Sequence, residues 1–161
     1  MSRYALALTA VVLSAVPACA QAQAALGPQL ARDLITLRSV AASSPSCGIG
    51  FKFDLIENPD GTETKFQGIP TGKVLVINGF EFRAGSTPRP GQMITADVLA
   101  VTSSTSFASL VRASGVADVD GNIEASVSLI TGAPIKAGTK VCFVGPPGIF
   151  DAVLHGYLTS K

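Results

Sequence analysis

His155 is the only histidine in the 161-residue chain, and with Asp151 and the hydroxyls of TSSTSFAS (102 to 109) it supplies the residue types of a hydrolytic triad. In such a triad the imidazole takes the nucleophile's proton and a carboxylate orients the ring. Residue types alone do not make one, and no nucleophile-elbow pattern surrounds these serines. In AVLHGYL, alternation places His155 on one strand face with Val153 and Tyr157, which is a structural setting. A second candidate is DVDGNIE, where Asp118, Asp120 and Asn122 alternate as oxygen ligands do in calcium loops. Its glycine comes fourth rather than sixth, and Leu129 stands where a bidentate glutamate would close an EF-hand. Asp120-Gly121 as a turn explains the same residues. GIPTGK invites a phosphate loop, but three residues separate Gly68 from Gly72 instead of four, and Val74 replaces the hydroxyl. A strand follows it, so no helix amino terminus faces a phosphate. The expectation is therefore no catalytic set, no cofactor and, at most, a surface calcium site at Asp118, Asp120 and Asn122.

The cysteines carry firmer information. Arg3 and the uncharged run Ala5 to Val16 read as an export signal, followed by small residues at Ala18-Cys19-Ala20 and Ala22-Gln23-Ala24. A run of twelve uncharged residues falls short of the roughly 20 that a membrane span needs, and no later stretch approaches that length. Lipid attachment at Cys19 would require an apolar-small-small run before it, and Pro17 fits that badly. Cleavage after Ala20, Ala22 or Ala24 discards Cys19 and sends the chain to the periplasm or beyond. Cys47 and Cys142 then remain in an oxidising compartment, where an isolated pair becomes a disulfide. Two cysteines and one histidine cannot fill a tetrahedral metal cage, and Cys-x-x-Cys spacing is absent.

Charge narrows the partners. Lys and Arg number 12 against 11 Asp and Glu, and loss of Arg3 brings the two into balance. No basic stripe exists to replace counterions on nucleic acid, nor a basic amphipathic segment for anionic membranes. So sparsely charged a surface leaves self-association open.

These residues must be positioned by short elements. Pro28 and the spacing of Leu30, Leu34, Leu37 and Ala41 predict a short helix over QLARDLITLRSVA, with a polar linker at 41 to 46. From Phe51 the period changes to two. Asn58-Pro59-Asp60-Gly61 is a turn returning through Glu63 to Gln67. Lys73 to Arg83 reads as one strand bent at Asn78-Gly79, with Val74, Val76, Phe80 and Phe82 on one face. Strands follow over 93–102, 107–119, 123–130, 141–144 and 150–158, with a loop at 131 to 139. The whole predicts an all-β protein, an antiparallel β-sandwich of jelly-roll type behind a short helix. Its divisions are a signal at 1–24, helix and linker at 25–46, and the sandwich at 47–161.

Ile69-Pro70-Thr71-Gly72-Lys73-Val74-Leu75-Val76-Ile77 resembles a signature of small exported bacterial β-sandwich proteins of unknown function. Leu129-Ile130-Thr131-Gly132, Ala137-Gly138-Thr139-Lys140-Val141-Cys142 and His155-Gly156-Tyr157-Leu158 are similar to their closing pattern. The likeness spans about residues 66 to 158 and implies a sandwich and a signal peptide, with no activity attached. The functional expectation is a non-catalytic exported module acting through binding or structure, by way of end loops such as 85–91 and 145–148. The alternatives are a hydrolase using His155 and a calcium-dependent binding module.

Overall fold

The computed structural model describes residues 33–40, 44, 47, 48, 50–85, 88–103 and 105–160. The signal segment, Cys19 and the first part of the predicted helix lie outside these residues. Ten strands follow in order: β1 Leu34–Val40, β2 Phe51–Lys52, β3 Leu55–Glu57, β4 Glu63–Lys65, β5 Lys73–Ala84, β6 Met93–Ser103, β7 Ser106–Val116, β8 Ile123–Lys136, β9 Lys140–Val144 and β10 Ile149–Ser160. They form a six-stranded sheet, β4-β3-β1-β10-β5-β8, and a four-stranded sheet, β2-β9-β6-β7. Every pairing is antiparallel. The all-β expectation holds, and one apolar cluster draws side chains from both sheets.

Period-two alternation builds that cluster. Leu37, Phe80, Phe82 and Leu154 from the larger sheet meet Val98, Val111, Val141 and Phe143 from the smaller. Phe53, between β2 and β3, is fully buried where the chain passes from one sheet to the other. Its ring lies 5.9 Å from that of Phe143 and 6.5 Å, edge-on, from that of Phe80, joining the layers. Gly115 does not break β7. A Cβ there would stand 2.6 Å from Ile123 Cγ2, so the glycine lets β7 and β8 approach at the corner between sheets.

Three expectations are corrected. Residues 34–40 form a strand, not the second half of a helix. Leucine spacing fits both periods there, but Ile35, Leu37 and Ser39 alternate into the core while β1 pairs with β10 along its full length. Tertiary pairing overrides a weak local preference. The sheet accordingly begins at Leu34 rather than at Cys47. The expected loop at 131–139 is mostly strand, since β8 runs on to Lys136 and carries residues 129–132 as an excursion between Ser128 and Ala133.

The bend in β5 is present, as a bulge between Ile77 and Gly79, but its consequence differs from expectation. An extra residue exchanges the two faces of a strand. Leu75 and Ile77 therefore join Phe80 and Phe82 in the inter-sheet cluster, whereas Val74 and Val76 face the other way, Val76 being buried there beside Gly132.

Cys47 and Cys142 lie at disulfide distance, with Cα atoms 6.3 Å apart. Cys142 is fully buried and packs with Leu99 and Val101 in a small cluster of its own, against which Cys47 and Val144 rest. The pair thus anchors the connection after β1 to β9. Ser44 helps, since its hydroxyl donates to Asp54 Oδ1 at 2.8 Å and accepts from the Val40 amide at 2.9 Å.

Two outcomes are expected. Closing a loop of 95 residues' separation should contribute about 4.7 kcal/mol in the chain-entropy account. Intact mass before and after reduction should show one internal disulfide, with melting lowered by reductant. Ser39 is fully buried and its Oγ has no hydrogen-bond partner among the described residues. Ser39→Ala should raise stability by about 1 kcal/mol in chemical denaturation, because it removes an unsatisfied buried hydroxyl.

Candidate functional site

The outer face of the six-stranded sheet collects the polar chemistry. Register sets Thr36 of β1 opposite His155 of β10, and His155 opposite Gly79 of β5. Continuing the β1–β3 register by one residue brings Glu57 beside Thr36. The bulge at Asn78 is what puts Gly79 there. A Cβ at Gly79 would stand 3.5 Å from His155 Cβ and Cδ2, so the missing side chain leaves a depression beside the ring.

Around this rung lies a groove of about 610 Å³. Thr36, Val153 and His155 form its floor, Glu81 one side, and Glu57 with the Asn58–Gly61 turn the other. Leu34 and Pro59 add apolar surface. Thr36 Oγ1 lies 3.4 Å from His155 Nδ1, while His155 Nε2 is 3.8 Å from Glu81 Oε1. Both His155 and Glu81 remain partly solvated.

The turn that forms one wall is pinned from within. Asn58 Nδ2 donates to Thr62 Oγ1 at 3.0 Å, and the Asn58 amide donates to the Thr62 carbonyl at 2.8 Å. The Thr62 hydroxyl and amide both donate to Asp60 Oδ1, at 2.6 and 2.9 Å. These bonds, the hydroxyl's foremost, lower the Asp60 pKa and keep the carboxylate ionised. Gly61 takes φ +79° at the apex, as such a turn requires.

The residues singled out in sequence do not assemble as a triad. Asp151 is buried and belongs to Arg38, whose Nε and Nη2 donate to its two oxygens at 2.9 and 3.1 Å. Arg38 Nη1 also donates to Glu63 Oε1 at 2.7 Å. The bond to Asp151 leads in raising the Arg38 pKa, so the guanidinium stays charged at any working pH. Ser103 and Ser106 flank the β6–β7 turn of the other sheet, Ser104 lies outside the described residues, and Ser109, opposite Leu99 further along β7, donates to Asp97 Oδ1. The candidate calcium residues form a turn that carries the chain from one sheet to the other. Asp118 Oδ1 accepts the amides of Asp120 and Asn122 at 2.9 and 2.8 Å, the bonding of an Asx turn. The described residues contain no group of three or more His, Cys, Asp or Glu placed to hold a metal.

Thr36, Glu57 and Glu81 were not visible as site residues. They come from three strands, and only pairing register brings them to His155. Of the strands that supply them, β1 was read from the sequence as part of a helix, and β3 as part of an alternating stretch beginning at Phe51. No protein-family model matches the chain, and no curated protein matches it either.

Removing Arg38 should leave Asp151 buried without its counter-charge. Arg38→Ala is expected to cost about 1 to 3 kcal/mol in urea denaturation, the guanidinium, one-third exposed, being partly screened. The double variant Arg38→Met/Asp151→Leu should recover part of that loss.

Proposed function

We propose that the chain is an exported antiparallel β-sandwich module that works by contact, holding a ligand or partner in the groove over His155. The observation that carries this reading is the assignment of Asp151 to Arg38, which removes the carboxylate nearest His155 in sequence from any catalytic use. What remains at His155 is a strand threonine at 3.4 Å and a glutamate at 3.8 Å, on an open sheet face. Contact then centres on a sheet face, in place of the end loops. Export is supported by the amino-terminal signal pattern, by the Cys47–Cys142 pair and by a lack, among the described residues, of any helix long and apolar enough to cross a membrane. Balanced charge is compatible with self-association.

One observation favours a second reading. Thr36, His155 and Glu81 follow one another as hydroxyl, imidazole and carboxylate, the order of parts in a hydrolytic relay. A panel of ester, peptide and glycoside substrates assayed with wild type and His155→Ala separates the two. The contact reading expects turnover in neither protein. Turnover that disappears in a still-folded His155→Ala variant would establish the hydrolase instead.

A further inference from the structure

We propose that Asn78-Gly79 is a covalent modification site, at which the native bulge of β5 lets Asn78 deamidate spontaneously to aspartate and isoaspartate. The claim is independent of what the groove holds. Asn78 is the extra residue of the bulge. Along β10, Ile77 faces Gly156 and Gly79 faces His155; along β8, Ile77 faces Ala133 and Gly79 faces Ser128. Asn78 therefore has no partner in either ladder, and β8 makes its excursion over residues 129–132 directly across from it. It is the one exposed position between the buried residues Leu75 to Ile77 and Gly79 to Phe80. Among the described residues its side-chain amide forms no hydrogen bond.

The chemistry needs only this chain and water. The Gly79 backbone nitrogen gives up its proton and attacks Asn78 Cγ; the Cγ–Nδ2 bond breaks and ammonia leaves, closing a succinimide ring. Water then opens the ring at Cγ to give aspartate, or at the backbone carbonyl to give isoaspartate. Glycine leaves the attacking nitrogen uncrowded. The two other asparagines each lack a requirement. Asn58 precedes Pro59, whose nitrogen has no proton to give, and its Nδ2 is held by Thr62 Oγ1 at 3.0 Å. Asn122 precedes Ile123, whose branched side chain crowds the nitrogen. The fold does not demand glycine at 79. Its φ lies outside the left-handed region, and a Cβ there would meet only His155, at 3.5 Å, an ordinary contact. Each conversion adds a negative charge three residues before Glu81, on the strand that borders the groove. The isoaspartyl form also lengthens the main chain at a point where the register is already broken.

The test incubates the purified protein, disulfide intact, in heavy-oxygen water at mildly alkaline pH, beside a sample unfolded in guanidinium. Peptide mapping of the native sample should find the label and the mass gain of amide-to-acid conversion in the peptide holding residue 78, as an aspartate and isoaspartate pair. Released ammonia should match it mole for mole. Isomerisation at Asp60-Gly61 or Asp120-Gly121 releases no ammonia, so it is told apart. Gly79→Ala, its folding checked by chemical denaturation, should lose the conversion. Conversion in the unfolded sample but none in the native one would overturn the proposal, since the bulge would then hold Asn78 out of reach. So would conversion of a folded Gly79→Ala variant at the wild-type rate, or conversion of Asn122 as fast as Asn78. The comparison of native with unfolded wild type needs no variant and decides the claim even if Gly79→Ala fails to fold.

Discussion

The structure depends on one pairing constraint: the last strand must lie between the first and the fifth. β10 donates and accepts ladder bonds on both sides, to β1 across seven rungs and to β5 across eleven. Until it arrives, β1 and β5 each present an unpaired edge, and unpaired backbone groups are costly to bury. Such long-range closure places the chain among slowly folding topologies. The same strand then serves both faces. Ala152 and Leu154 point into the core, while Asp151, Val153 and His155 point outward to meet Arg38 and Thr36 of β1.

The two sheets treat their outer faces differently. On the four-stranded sheet, Leu99 and Val101 turn outward and would be exposed apolar residues on a flat face. Cys142 and Cys47 pack over them, so the stapled connection covers this surface. The outer face of the larger sheet is instead charged, with three ion pairs joining β1, β4, β5, β8 and β10 and the groove among them, although Val76, Tyr157 and Thr159 are buried on it. Edge exposure is limited as well, since β2 and β4 are only two and three residues long and β7 rests against β8.

Much of the fold was legible because its signals are local. Asn58-Pro59-Asp60-Gly61 specifies a turn through proline and glycine chemistry, and it forms one. The even cysteine count expected if Cys19 is cleaved off predicted the pair that the structure brings to bonding distance. The Asn78-Gly79 bend was also legible, yet its parity was not, because a bulge reverses faces and sequence alternation cannot say where the extra residue sits. Leu34 to Val40 failed for a different reason. Seven residues with leucines three apart fit either period, and β10, over a hundred residues away in sequence, decides between them. The site suffered most from this. His155 stood out as a lone histidine, but Thr36, Glu57 and Glu81 become its neighbours only through the register of four strands.

The positions of β1 and β10 also set how the molecule answers a pull. Leu34, where β1 starts, pairs with Tyr157 near the end of β10, so β1 begins and β10 finishes at the same end of their shared ladder. Tension applied through them opens the ladder like a zipper, one rung at a time, instead of shearing all seven rungs together. That is the weaker of the two geometries. With the Cys47–Cys142 bond in place, however, peeling stops after the outer segments, because force passes through the sulfurs and bypasses everything between. The 95-residue separation withholds roughly 320 Å of contour length from the load path. Under tension the molecule is thus a short, soft tether with a hard stop, and most of its core never feels the force.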